Sequence, residues 1–282
     1  MPASDRITRL LTYWTPSEID PMIDHLRKVR PQILQVGQFG PNFYSMLGTP
    51  ELAGWLGAPV RSLDEAWDWW RRFIAEVHGL GIRVVGIFSV TYHYGNEDTG
   101  DGWFAFWKNW DARRFGPRPC EDPLDLLKRT PDGKAVWSEI PGRPMRQYAG
   151  CLNNPAWRAV LKGMVKAGID LGLDGFNTVY NYMGCHCAHC VEGFRAHLAA
   201  RYTPDELARR CGIRELATHV FADINWLYSG PADPCRQEAL LFNSLSLKRA
   251  QDDIFGTFGQ ALKPDLIRAA WYHSYSGDGP FV

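Results

Sequence analysis

The stretch Asp174-Gly-Phe-Asn-Thr-Val-Tyr-Asn-Tyr-Met-Gly-Cys-His-Cys-Ala-His-Cys190 decides how the rest of the chain reads. It opens with strand periodicity: Phe176, Thr178, Tyr180 and Tyr182 share one face, and Asn177, Val179 and Asn181 share the other. It closes on three cysteines spaced C-x-C-x-x-C, and a helical pattern follows from Val191 to Leu198. A strand that runs into a thiol-rich loop and then a helix puts ligands at its carboxyl end. In barrels and open α/β sheets that end carries the site. By the same logic Asp174, which precedes the strand, belongs to the end concerned with stability.

On the N-terminal side the chain alternates strands and helices. Residues 7–14 read as a short strand, and Thr15-Pro-Ser-Glu18 then reads as an N-cap, a proline at the first helical position and an acid at the third. Ile19, Met22, Ile23 and Leu26 follow at helical spacing. A second strand is expected over 32–38. Ser62-Leu-Asp-Glu65 is a capping box that starts a helix holding Trp67, Trp70, Phe73, Ile74 and Val77. Residues 82–90 form the clearest buried strand. Residues 91–153 read as a long irregular loop after this third strand, rich in Gly and Pro and holding Trp103, Trp107, Trp110 and Trp137. A loop of that length is expected to be a lid or a site wall. Asn154-Pro-Ala-Trp157 caps a third helix, which leads into the opening stretch.

Beyond Cys190 the pattern is helical over 191–264. It includes a second capping box, Thr203-Pro-Asp-Glu206, and a long amphipathic helix over 237–262. Residues 266–273 read as a fifth strand. The alternation implies parallel strands with right-handed crossovers. A (β/α)8 barrel needs eight strands. The expected fold is therefore a single α/β domain of TIM-barrel type over 1–282, incomplete on its C-terminal side, with about five strands.

Composition narrows the function classes. The 31 basic and 31 acidic residues cancel, and no basic run suggests a nucleic-acid groove or a membrane surface. No apolar run suits a signal peptide or a membrane span. With seven cysteines, three of them inside six residues, the chain points to thiolates and metal rather than a disulfide framework, and so to a cytoplasmic protein. Composition leaves homo-oligomerisation open. The 12 tryptophans suit core packing; they also suit platforms for sugar rings.

Thiolates at C-x-C-x-x-C do not share one face of a helix or strand, so they wrap in a loop around something. A closed zinc site takes four ligands and is structural. Cys185, Cys187 and Cys190 supply three. Cys151, just before the third helix, is the favoured fourth, with Cys120, His186 and His189 as competitors. Free buried thiols or a disulfide are the plainer alternatives.

Cys151-Leu-Asn-Asn-Pro-Ala-Trp-Arg158, then Asn181-Tyr-Met-Gly-Cys-His-Cys-Ala-His-Cys190 and Phe194-Arg-Ala-His-Leu198, resembles the zinc-containing β-galactosidases of glycoside hydrolase family forty-two and related uncharacterised glycosidase-like barrel proteins. The resemblance covers residues 151–203, and the first three strands in layout. It implies a glycosidase-like barrel acting on carbohydrate, with Cys151, Cys185, Cys187 and Cys190 holding one structural zinc.

The resemblance also implies an Asn-Glu pair as general acid/base, and here the chain departs from it. The matching position reads Asn181-Tyr182, and the family's nucleophile lies on a strand beyond Val282. Glycosidases need two suitably spaced carboxylates. The candidate substitutes are Tyr182, together with Glu97 and Asp98 after the third strand, and His93 as a base. The plainer reading makes the Glu97–Asp98 segment a solvated turn and His93 a structural residue. Substrate contacts are expected from Asn181, Tyr180, Trp14, Trp103 and Trp107. The alternative to a hydrolase is a carbohydrate-binding barrel without catalysis. A zinc hydrolase is disfavoured, because four thiolates leave no position for water.

Overall fold

The structure is a computed structural model, and it describes residues 7–13, 16, 18–47, 49, 50, 61–179, 181, 183–221 and 234–271. Five parallel strands form its main sheet: β1 (Leu10–Tyr13), β2 (Ile33–Phe39), β3 (Arg83–Ser89), β8 (Gly175–Val179) and β9 (Ile267–Ala270), in that spatial order. Neighbours are in register, with Val36 opposite Gly86 and Gly86 opposite Phe176.

Strand order therefore follows chain order. A doubly wound sheet reverses direction partway through; this one does not. The crossover helices α1 (Ile19–Val29), α3 (Leu63–Gly79) and α6 (Pro155–Leu171) lie side by side, with the π-helical stretch Asp252–Gly259 against α6. They cover one face, where Leu34, Val36, Val84, Phe88 and Phe176 join the core. Phe88 and Phe176 meet edge to face, and both reach Phe255. The other face carries Gln35 and Asn177, which are hydrogen-bonded to each other at 3.4 Å.

The helices form where their caps and apolar spacing place them. The capping boxes at Ser62 and Thr203 are both present, and Asn154 accepts from the Ala156 N–H. The first helix differs from expectation: it begins at Ile19, with Glu18 as its N-cap. Pro21 accounts for this. In a helix started at Pro16 it would fall in the interior and remove a ladder bond. Starting at Ile19 leaves it in the first turn, where its missing N–H is not needed. Thr15, the expected cap, lies outside the described residues.

Where 91–153 reads as irregular, the structure builds a second sheet. Strands β4 (Tyr92–Asn96), β5 (Asp101–Gly102), β6 (Trp137–Glu139) and β7 (Arg146–Ala149) are antiparallel in the order β5-β4-β7-β6. The short helices α2 (Pro41–Met46), α4 (Trp103–Lys108) and α5 (Ala112–Phe115) pack beside it through Tyr44, Phe106 and Phe115. Beyond the thiol loop, α7 (Ala188–Arg201), α8 (Pro204–Cys211) and α9 (Arg236–Gln251) enclose a smaller core around Phe194, Leu198, Leu207 and Phe242. Glu238 fastens α9 to α7 by accepting from His197 at 2.9 Å and Tyr202 at 2.6 Å. The expected helix over 237–262 runs as α9, the π-helical stretch and a final turn, α10 (Gln260–Leu262).

Candidate metal centre

Two segments far apart in sequence deliver four sulfurs to one point. The first leaves β7 through Ala149 and Gly150, where the backbone runs under the indole of Trp157. A methyl group at Gly150 would stand 2.1 Å from Trp157 Cε2, so only glycine fits. Cys151 follows, held by its N–H to the Leu126 carbonyl at 2.9 Å, three residues ahead of the α6 cap. The second segment leaves β8 and turns at Gly184, whose φ of 92° is a left-handed conformation natural to glycine. Cys185 comes next. Cys187 is the N-cap of α7, and Cys190 lies in that helix's first turn.

The Sγ atoms of Cys151, Cys185, Cys187 and Cys190 all lie within 4.8 Å of one another. Cys151 is 3.6 Å from Cys187 and 3.4 Å from Cys190. Those separations are far from a disulfide bond of about 2.0 Å. They approach the edge of about 3.8 Å that a tetrahedral ion 2.3 Å from each sulfur requires. Cys151, Cys185 and Cys190 are buried, and Cys187 is half-buried. The donor set and its spacing suit a metal ion in a closed site. The competitors stand apart: Cys120 gives its thiol proton to the Asp122 carbonyl at 3.2 Å, His189 points out on the exposed side of α7, and His186 is not among the gathered ligands.

The electrostatics suit thiolates. The N–H end of α7 meets Cys187 and Cys190, where a helix terminus favours negative charge. Three N–H donors point at sulfur: the backbones of Arg129 and Cys187 to Cys185 Sγ, and Asn153 Nδ2 to Cys190 Sγ, each at 3.3 Å. Hydrogen bonds from the neighbouring thiols, Cys151 first, pull Cys185 far below the ordinary thiol range. The same contact with Cys185 pushes Cys151 well above it. Four thiols this close hold their protons unequally, and a dication relieves that crowding.

One wall of the centre has no signature in the sequence. Residues 126–129 run between the two ligand segments. Lys128 N–H bonds the Ala149 carbonyl at 2.7 Å, and His186 N–H bonds the Arg129 carbonyl at 2.8 Å. The Lys128 side chain is 4% exposed and its Nζ donates to the Met183 carbonyl at 3.3 Å. Burial pulls its pKa below the ordinary lysine value, and the sulfurs of Cys151, Cys185 and Cys190 oppose that shift. Residues that act through backbone N–H groups, or through one buried lysine, have no spacing rule by which a sequence reveals them.

The remaining expected residues are not brought together. His93 is 0% exposed in β4, stacked on Trp103 at 4.6 Å and near Tyr148 at 5.6 Å. Burial lowers its pKa to about 3, and neither ring nitrogen meets a hydrogen-bond partner among the described residues. From there it reaches no substrate proton, which corrects the expectation of a base. Trp103 and Trp107 are 0% and 3% exposed, so no sugar ring can lie against them; both belong to the core. Glu97 and Asp98 lie in the β4–β5 turn on the second sheet, and both pair with Arg146, at 3.2 and 2.8 Å. Asn181 stands just past β8, accepting from Gln251 at 2.8 Å and donating to the Thr178 carbonyl at 3.3 Å. Tyr180, Tyr182 and Trp14 lie outside the described residues.

No protein-family model and no curated protein matches the chain. Solved structures are similar in part. An α-L-fucosidase isoenzyme from Paenibacillus thiaminolyticus is 14% identical at a TM-score of 0.43, over 94% of this chain and 32% of that one. The catalytic domain of a β-amylase from Paenibacillus polymyxa is 10% identical at 0.45, over 89% and 65%. An α-galactosidase from Thermus thermophilus is 16% identical at 0.38, over 77% and 40%. The chain thus spans about a third of the fucosidase's length. At these identities and TM-scores the likenesses carry no argument about what the chain does. Among the described residues, no helix is long and apolar enough to cross a membrane.

Proposed function

We propose that the chain is part of a glycosidase-like (β/α)8 barrel that acts on carbohydrate, and that Cys151, Cys185, Cys187 and Cys190 hold one structural zinc. The observation that carries this reading is the meeting of Cys151 with the C-x-C-x-x-C loop, across 34 residues of sequence. That is the ligand set implied by the resemblance to the zinc-containing β-galactosidases. One-sided winding supports the barrel, since a sheet covered by helices on a single face closes on itself to cover the other. When bound, the ion supplies a cross-link: it ties the loop after β8 to the start of α6 and performs no chemistry on substrate. Asn181, just past the carboxyl end of β8, and its sequence neighbours Tyr180 and Tyr182 are the residues we assign to the substrate.

Elemental mass spectrometry of the purified chain tests the centre. One zinc per chain is expected, lost in both Cys151→Ser and Cys187→Ser. Zinc-free protein, or zinc indifferent to Cys151, would overturn the reading.

One observation favours a second reading. Glu97 and Asp98, the nearest stand-ins for the missing acid, both face Arg146 on the second sheet. A barrel without its carboxylate pair binds sugar without cleaving it. Release of free sugar from any of a panel of glycans, by a longer version of the chain, separates the two readings in favour of the hydrolase.

A further inference from the structure

Four thiolates around a dication leave a net charge of two negative units. In a buried site that charge is costly unless the protein answers it. The α7 terminus and the three N–H···S contacts each answer part of it with partial charges. Close to the centre there is also one whole charge, and its placement is specific.

Lys128 sits on the segment clamped between the two ligand strands. Its backbone is held from both sides: its N–H goes to Ala149, and its carbonyl accepts from the Val136 N–H at 2.9 Å. Beside it, Leu127 bridges Gly150, the neighbour of Cys151, and the Arg129 N–H reaches Cys185 Sγ. The side chain is directed inward, and its Nζ meets the carbonyl of Met183, two residues before Cys185. A long cationic side chain seldom gives up water entirely. Burying one here is costly unless negative charge lies close by.

We propose that Lys128 is the built-in counter-cation of the four-thiolate centre: a positioning residue that binds no metal but sets how tightly the sulfurs hold it and how strongly they donate to it. This rests on the four-thiolate metal reading. The proposal assigns a role to a residue outside the ligand set, and it explains why the clamped segment carries a charge into the interior.

The test uses the full chain loaded with cobalt(II), whose absorption reports the sulfurs directly. Lys128→Met removes both the charge and the hydrogen bond. Lys128→Gln removes the charge and keeps a polar donor for the Met183 carbonyl. In both, metal affinity measured by competition with a chelator should fall about 10–100-fold, the range typical when an outer-shell partner of a metal site is lost. The sulfur-to-cobalt charge-transfer band should move to longer wavelength, because sulfur electrons are less tightly held once the nearby cation is gone. The ligand-field bands should keep their tetrahedral pattern. The band position is read only from protein that has formed the site, so it separates a lost charge from a lost fold.

Two results would overturn the proposal. In one, both neutral variants match the wild type in affinity and band position. In the other, Lys128→Met changes and Lys128→Gln does not, which would assign the effect to the hydrogen bond. Wild-type protein that takes up neither cobalt nor zinc would instead overturn the metal reading itself.

Discussion

At the start of β8, the Asp174 carboxylate sits among His78 Nε2 at 2.8 Å, the Val84 N–H at 2.8 Å and Lys263 Nζ at 3.4 Å. At the other end, past Gly184, four thiols crowd together with three N–H donors and one buried lysine nearby. Both ends pin a strand to its neighbours through acidic groups. The lower end does so with charges the protein supplies in full, and a single carboxylate is satisfied by ordinary donors. The upper end gathers more acid than the protein's own donors balance. On the metal reading proposed above, a cation completes that cluster, and stability at this end would then be tied to a ligand.

The largest expected effect breaks the upper end. Cys190→Ser should lower the stability of the zinc-loaded chain by at least about 4 kcal/mol, as loss of a structural metal does. A strong chelator should bring the wild type down to the same level and leave the variant unchanged in urea unfolding. Chelator-indifferent wild type would mean that both ends are held alike, and the comparison would collapse.

A second prediction concerns a buried group with no hydrogen-bond partner among the described residues. His93, buried in β4 among Trp103, Tyr148 and Trp157, stays neutral when folded, with its pKa lowered from 6.5 to about 3 by burial. Between those values the unfolded chain binds a proton that the folded chain does not, so stability falls as pH drops. The slope is about 1.4 kcal/mol per pH unit, or about 3 kcal/mol by pH 4. His93→Phe should remove that slope; denaturant midpoints from pH 7 to pH 4, with both proteins in chelator, would show it. Parallel profiles would mean that His93 gains a partner on protonation.

The smallest effect is at the lower end. Asp174→Asn gives up the pairing with His78 and Lys263 and should cost about 2 kcal/mol. The loss should be the same with and without chelator. A loss that depended on metal would show the two ends to be coupled through β8, which sharpens the comparison rather than breaking it.

Much of this was legible before any coordinate. The capping boxes at Ser62 and Thr203, the Asn154 cap and the buried run before Ser89 rest on contacts within a few residues, and local chemistry decides those. The C-x-C-x-x-C loop announced a ligand, because three thiols within six residues are brought together by the chain itself. The second sheet was not legible. Its strands are two to five residues long, too short for periodicity to speak, and β4 finds β7 only across some fifty residues. For His93, Trp103 and Trp107 the sequence left open both a place in the core and a role in the site, because they follow a strand into a Gly-rich stretch. The second sheet and α4 bury them.

The sequence by itself determined the order of the main-sheet strands and their crossover helices, the caps at Ser62, Asn154 and Thr203, and three of the four gathered cysteines. Each depends on spacing that survives in an unfolded chain. Only the tertiary structure decided that the sheet winds one way with its crossover helices on one face, because that depends on which strands pair. It brought the favoured Cys151, and not Cys120 or a histidine, to the other three sulfurs, with Gly150 passing beneath Trp157 to bring that sulfur in. The burial of Lys128 against the Met183 carbonyl belongs with these. A lone lysine in a loop has no pattern of its own, and its surroundings exist only once the chain has folded around it.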